Sequence, residues 1–215
     1  VAAAIDAEIK ALAVPNTPTM RASRRTYTRI LKHADPDFML RLASRLLEID
    51  DYRRFAYELI QGHQAVFECL GAVELEALGQ GINSWWTVDA FARTLSGPVW
   101  LNGRVSNTVM LTWARSTDRW WRRAALVSTV ALNMRSHGGK GDVPRTLRIC
   151  RELVRDHDDM VAKAMSWALR ELIVHDAEAV RAFLDEYDAV LAARVKREVR
   201  NKLKTGLKNP GRKRL

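Results

Sequence analysis

A chain of 215 residues, 47% hydrophobic and 28% charged, has enough apolar material for a packed core, as one large domain or two small ones. It has no run of the roughly 18 uncharged apolar residues that cross a bilayer. Its first residues, with Asp6, Glu8 and Lys10, lack a basic-then-apolar export layout, so a cytoplasmic location is expected, nucleoid-associated in a bacterium. The net charge of +10 is concentrated: ten of the 35 basic residues lie from Arg194 onward against one acid, Glu198, leaving 25 basic against 24 acidic before it. Such a tail either binds phosphates or serves as a solvated end.

Helical periodicity runs through nearly the whole chain. The prolines (Pro15, Pro18, Pro36, Pro98, Pro144 and Pro210) fall at plausible helix edges, and no stretch alternates over strand length. Helices are expected near 2–14, 19–33, 36–48, 50–62, 64–79, 84–96, 100–114, 118–134, 143–155, 159–174 and 176–205. The short connections between them favour antiparallel neighbours. Three segments, beginning at Asp51, Asp118 and Asp159, place an acid before basic and then small apolar residues, as an N-cap followed by a closely packed helix would.

The step from Arg123 to Lys163 is about 40 residues, the length of a HEAT-type helix pair. The expected fold is therefore all-α, a HEAT/ARM-like solenoid with a concave basic face; an ordinary helical bundle is the other reading. A single domain is expected over 1–205, followed by a basic tail over 206–215.

Several chemistries find no support. Cys69 and Cys150 make neither a disulfide framework nor a zinc set, and the five histidines (His33, His63, His137, His157, His175) lack metal-ligand spacing, so no metal is expected. Gly138-Gly139-Lys140-Gly141 lacks the spacing and the hydroxyl of a phosphate-binding loop. No cofactor is expected.

Three tryptophan-bearing segments remain. In Ser84-Trp85-Trp86-Thr87-Val88-Asp89, Ser84 is a natural N-cap, and Trp85 and Asp89 share a helix face at i, i+4, at the edge of the apolar arc centred on Val88, Phe91 and Leu95. The plainer alternative packs Trp85 at a core margin and pairs Asp89 with Arg93, also i, i+4. In Arg119-Trp120-Trp121-Arg122-Arg123-Ala124, the core stripe runs through Trp120, Ala124, Val127, Ala131 and Met134. Arg122 and Arg123 point progressively away from it, toward phosphate or a stacking tryptophan. In Lys163 to Glu171, Trp167 lies off the core stripe and between Lys163 and Arg170 in angle, on a DNA-facing surface or beneath a neighbouring repeat.

Trp85 with Asp89, Arg-Arg-Ala-Ala at 122–125, and Lys-Ala-Met-Ser-Trp-Ala-Leu-Arg-Glu at 163–171 together resemble the AlkD-type DNA alkylation-repair family, over roughly 19–205. The resemblance implies a glycosylase that hydrolyses the N-glycosidic bond of cationic N3- or N7-alkylated purines in duplex DNA. It implies Asp89 as the catalytic carboxylate, Trp85 and Trp167 against the backbone around the lesion, and Arg123 as a phosphate or active-site arginine. Arg122, Lys163, Arg170, Lys202 and Lys204 are the further expected DNA contacts. The expected partner is double-stranded DNA with alkylated bases, bound by a monomer without membrane association. The competing readings are a non-catalytic binder of distorted or branched DNA, which has no need of Asp89, and a protein–protein scaffold anchored by its tryptophans.

Overall fold

The computed structural model describes residues 1–14, 16–49 and 52–211; Pro15 and Asp51, named above, and the last four residues of the expected basic tail lie outside them. The described residues form helices and connections with no strand, and none of their helices is long and apolar enough to cross a membrane. The chain divides into two compact units, Val1–Ile82 and Asn83–Leu215.

The first unit holds α1 (Ala2–Lys10), α2 (Thr17–Ile30), α3 (Pro36–Leu47), α4 (Arg53–Gln61), α5 (Gln64–Cys69) and α6 (Ala72–Leu78). Its core is Ile5, Met39, Leu46, Leu59, Ile60 and Leu75. Side-chain caps start α2 and α3. The Asn16 side chain accepts from Thr19 N at 3.1 Å, and Asp35, just before Pro36, accepts from Phe38 N at 2.9 Å. The helix expected over 64–79 is divided: Leu70 is extended, and Glu74 reaches back to the Gly71 N–H at 2.9 Å, capping a new helix within the apolar run.

The second unit is built around α10 (Arg119–Asn133), buried throughout from Arg123 to Asn133. Around it lie α7 (Trp85–Phe91), α8 (Gly97–Leu101), α9 (Asn107–Ala114), α11 (Val143–Glu152) and α12 (Asp159–Leu172). α12 packs in turn on α13 (Ala177–Glu186) and α14 (Ala193–Thr205). Asp118 caps α10 as expected, accepting from Trp120 N at 2.8 Å. The cap of α12 is one residue earlier than expected: Asp158 accepts from Met160 N and Val161 N, whereas Asp159 is the first helical residue and pairs with Lys163. The expected helix 176–205 breaks across Tyr187–Ala192 into α13 and α14.

The largest departure from the sequence expectation lies between α7 and α9. Instead of stopping near residue 96, the helix passes through one π turn, Ala92–Ser96, into α8. Pro98 lacks the N–H that Thr94 C=O would accept, and its ring would crowd that carbonyl. The wider turn, in which Gly97 N–H reaches Ala92 O, accommodates both constraints. Termination falls instead to Gly103, at φ +71°, and α9 begins at Asn107 rather than near 100. At the junction Gly97 is buried against α10, where the Ser96 and Ser128 hydroxyls meet at 2.7 Å. A Cβ on Gly97 would lie 2.7 Å from Ala131 Cβ and 2.8 Å from Ser128 O. Gly97→Ala is therefore expected to force α8 from α10 and to cost about 1–3 kcal/mol, read as a lowered urea midpoint at unchanged slope.

Candidate active site

All the expected site residues belong to the second unit. α7 starts at Ser84, whose hydroxyl lies 3.0 Å from the Thr87 hydroxyl, and Thr87 Oγ1 accepts from Ser84 N at 3.2 Å. This cap fixes the first turn, and Trp85 projects from it 56% exposed rather than packing at a core margin. Below it, Val88 and Phe91 are fully buried. Phe91 meets Trp121 edge-on at 5.9 Å between centroids, and Trp121 lies 4.8 Å from Trp113, so the aromatic cluster sets the floor on which Asp89 stands.

Asp89 pairs with Arg123 on α10, not with Arg93. Arg123 Nε donates to Asp89 Oδ1 at 2.9 Å and Nη2 to Oδ2 at 3.0 Å, a two-pronged contact, while Nη1 donates to the Met160 carbonyl at the start of α12 at 2.6 Å. Arg123 is only 5% exposed, so the expectation that it points away from the core is corrected: from Arg123 onward, α10 is enclosed on every side. Burial raises the Asp89 carboxyl above the ordinary aspartate range. The hydrogen bonds and charge of Arg123, and the charge of Arg93, oppose that rise without overcoming it.

Trp167 on α12 is half-buried, as its position off the core stripe implied. Its indole Nε1 donates to Glu171 Oε1 at 3.0 Å, and the Arg93 guanidinium lies over its ring at 5.6 Å from the centroid. Arg93 is thus the residue that links the Asp89 segment to Trp167. The i, i+4 spacing to Asp89 points to an ion pair instead, and the only sequence signal to the contrary is Pro98, which favours the π turn that starts one residue before Arg93.

The remaining expected DNA contacts are not gathered in one place by any shared hydrogen bond. Arg122 is held by Asp156 at 2.7 Å and by the carbonyls of Ser116 and Thr117. Lys163 pairs with Asp159, and Arg170 Nε donates to Ser166 Oγ at 3.2 Å. Lys202 donates to Gly206 O at the end of α14, and Lys204 stands exposed beside it. The tryptophan-stacked arginine of α10 is Arg119, 4.7 Å over Trp120, a choice over Arg122 that residue type and spacing leave open.

A carboxylate and a guanidinium in bidentate contact, mostly withdrawn from water, with an exposed tryptophan one turn before the carboxylate and a half-buried one under the next arginine of the same helix, suit the stabilisation of a developing positive charge beside an anionic backbone. The model of the DNA alkylation repair enzyme family matches residues 3–203. A comparison with curated proteins gives no match.

Removing Arg123 would leave the Asp89 charge without its partner in a desolvated place. Arg123→Ala is expected to destabilise the fold by about 3–5 kcal/mol, measured by urea unfolding at pH 7.

Proposed function

Because the chain belongs to the DNA alkylation repair enzyme family, we propose that it is a DNA glycosylase hydrolysing the N-glycosidic bond of cationic N3- or N7-alkylated purines in duplex DNA. The observation that carries this reading is the Asp89–Arg123 pair, a largely buried carboxylate held in one orientation on the helix that also carries Trp85, with Arg93 joining that segment to Trp167. In support of one HEAT-like domain over 1–205, the family match crosses both compact units. Bonds between successive long helices also recur at similar sequence offsets: Ser96 to Ser128, Asp89 to Arg123, Arg123 to Met160 and Ser166 to Glu198. We read α7, α12 and α14, with the first turn of α10, as the layer that forms a concave basic face toward DNA.

An N3- or N7-alkylated purine already carries the positive charge that makes it a good leaving group. The C1′–N bond breaks with its electron pair going to the base, which departs neutral, and positive charge appears on the deoxyribose. No acid is needed to protonate the base, so the two-carboxylate arrangement of ordinary glycoside hydrolysis is unnecessary. Asp89 stabilises the oxocarbenium-like sugar and orients the water that adds to C1′; that water's proton is lost to Asp89 and then to solvent. Arg123 fixes the carboxylate plane. Trp85 and Trp167 offer their π-faces to the cationic sugar and pack the adjacent backbone. Arg122, Lys163, Arg170, Lys202 and Lys204 supply positive potential along the duplex.

Three outcomes test this. The wild-type chain is expected to release 7-methylguanine from methylated duplex DNA, with Asp89→Asn slower by about a hundredfold or more while still binding the duplex. If both proteins bind and neither releases base, the chain is a DNA-structure binder. Hypoxanthine, an uncharged lesion, is expected to be a poor substrate in the same assay, and its efficient release would overturn the leaving-group argument. The active form of Asp89 is the carboxylate, and its pKa is raised by burial. Single-turnover rates should therefore fall with acid at a higher pH than the roughly 3.9 of a free aspartate.

A further inference from the structure

Among the cations of α7, α10 and α12 expected to serve the site, nearly every donor is already spoken for. Arg123 gives Nε and Nη2 to Asp89 and Nη1 to Met160 O. Lys163 is paired with Asp159, and Arg170 donates to Ser166, whose hydroxyl is bonded in turn to buried Glu198. Arg93 stands apart. Its Nε is buried and has no acceptor, and the side chain forms no hydrogen bond or ion pair with any described residue. Its guanidinium lies over the Trp167 ring.

The surroundings do not answer that charge. The Asp89 carboxylate is within electrostatic reach but gives both oxygens to Arg123. His137, on the short helical turn after α10, also senses Arg93. Burial first, and the Arg93 charge second, hold its ring below the ordinary histidine value, so His137 faces Arg93 as a neutral group. Glu171 is turned to the indole N–H of Trp167. A half-buried guanidinium without an acceptor is unfavourable, and native proteins seldom leave one so without a use for it. Stacking on an indole holds the guanidinium plane while leaving its N–H fork free, an arrangement suited to a bidentate oxyanion.

Resting on the repair reading above, we propose that Arg93 is the phosphodiester-binding residue of this site. Shelved on Trp167, it takes the DNA backbone phosphate flanking the damaged nucleotide, while Arg123 serves Asp89. This divides between two arginines the two roles, phosphate or active-site arginine, that the resemblance implies for Arg123. It also explains why the π turn matters: the turn carries Arg93 on the same continuous helix as Asp89 while Arg93 stacks on α12 rather than closing onto its i−4 carboxylate.

The test is equilibrium binding to a duplex with a tetrahydrofuran abasic analogue, which needs no base release, over a series of salt concentrations. Single uncharged methylphosphonates are placed in turn on each side of the analogue. Arg93→Gln is expected to weaken binding about tenfold, the loss of one charge-assisted contact. It should also lower the slope of log affinity against log salt by about 0.9, the loss of one phosphate neutralised. One methylphosphonate position should weaken the wild type similarly and leave Arg93→Gln unaffected.

If Arg93→Gln is folded and keeps the wild-type salt slope, or its deficit persists at every methylphosphonate position, Arg93 merely packs Trp167 and the proposal falls. Should Arg93→Gln fail to fold, the wild-type methylphosphonate scan decides: no sensitive phosphate beside the analogue overturns the proposal. A wild type that ignores the duplex at all salts overturns both this assignment and the DNA repair reading. Binding with an unaltered slope in the variant overturns this assignment alone.

Discussion

The Asp89–Arg123 contact is the constraint around which the second unit is arranged. A carboxylate drawn between helices loses its hydration, and only a donor fork in the right plane offsets that loss. The fork comes from α10, and its remaining arm closes on the first turn of α12, so one guanidinium sets the register of three helices at once. Buried ion pairs add little to net stability compared with apolar packing of the same volume. Together with the raised Asp89 carboxyl, this is the balance that the proposed function asks of a pair holding a reactive group in place rather than acting as a staple.

The rest of the packing keeps that geometry from relaxing. On one side, Gly97 lets the helix after Asp89 press directly onto α10, and the Ser96–Ser128 hydroxyl contact satisfies the polar groups trapped there. Beneath, Phe91, Trp113 and Trp121 fill the space between α7 and α10 with side chains that have few rotamers. On the far side of α12, buried Glu198 accepts from Ser166 and draws in Arg194 and Lys208. Burial works against the Glu198 charge, but the Ser166 hydrogen bond and these cations hold its pKa below the ordinary glutamate value. Several cations of the basic C-terminal segment thus balance acids within the fold, with Arg200 and Lys196 on Asp188 and Arg194 also on Asp159. The tail's formal charge is therefore a poor guide to the number of phosphates it could hold.

What could be read from the sequence follows the physics of locality. Helices signalled by caps and periodicity, such as α3, α10 and α11, fall close to where expected because those signals act within one turn. Breaks were harder to see. Gly71 with Glu74 restarts a helix inside an apolar run, and Pro98 permits a π turn where a stop was expected, both small local preferences decided by packing. At the site, Trp85, Asp89, Arg123 and Trp167 could be named from residue type and resemblance. Their partners could not be named, because Asp89 could choose between an arginine four residues away and one 34 residues away. Angular reasoning on an isolated helix also placed Arg123 outward, whereas α10 has neighbours on all sides.

A charge balance then follows for the proposed chemistry. Asp89, Arg123 and Arg93 leave the site one positive charge in excess, an adverse setting for a cationic lesion and for a sugar that becomes cationic. A backbone phosphate seated on Arg93 removes that excess and makes the site neutral before the bond breaks. As the base departs, positive charge moves from the purine to the sugar, toward the Asp89 carboxylate, without changing the total. In a partly desolvated place, the transition state is then favoured by the direction in which charge moves, not by a net attraction that would hold substrate and product equally well. On this account, the phosphate on Arg93 is what allows Asp89 to act on the sugar rather than serve chiefly as a counter-ion.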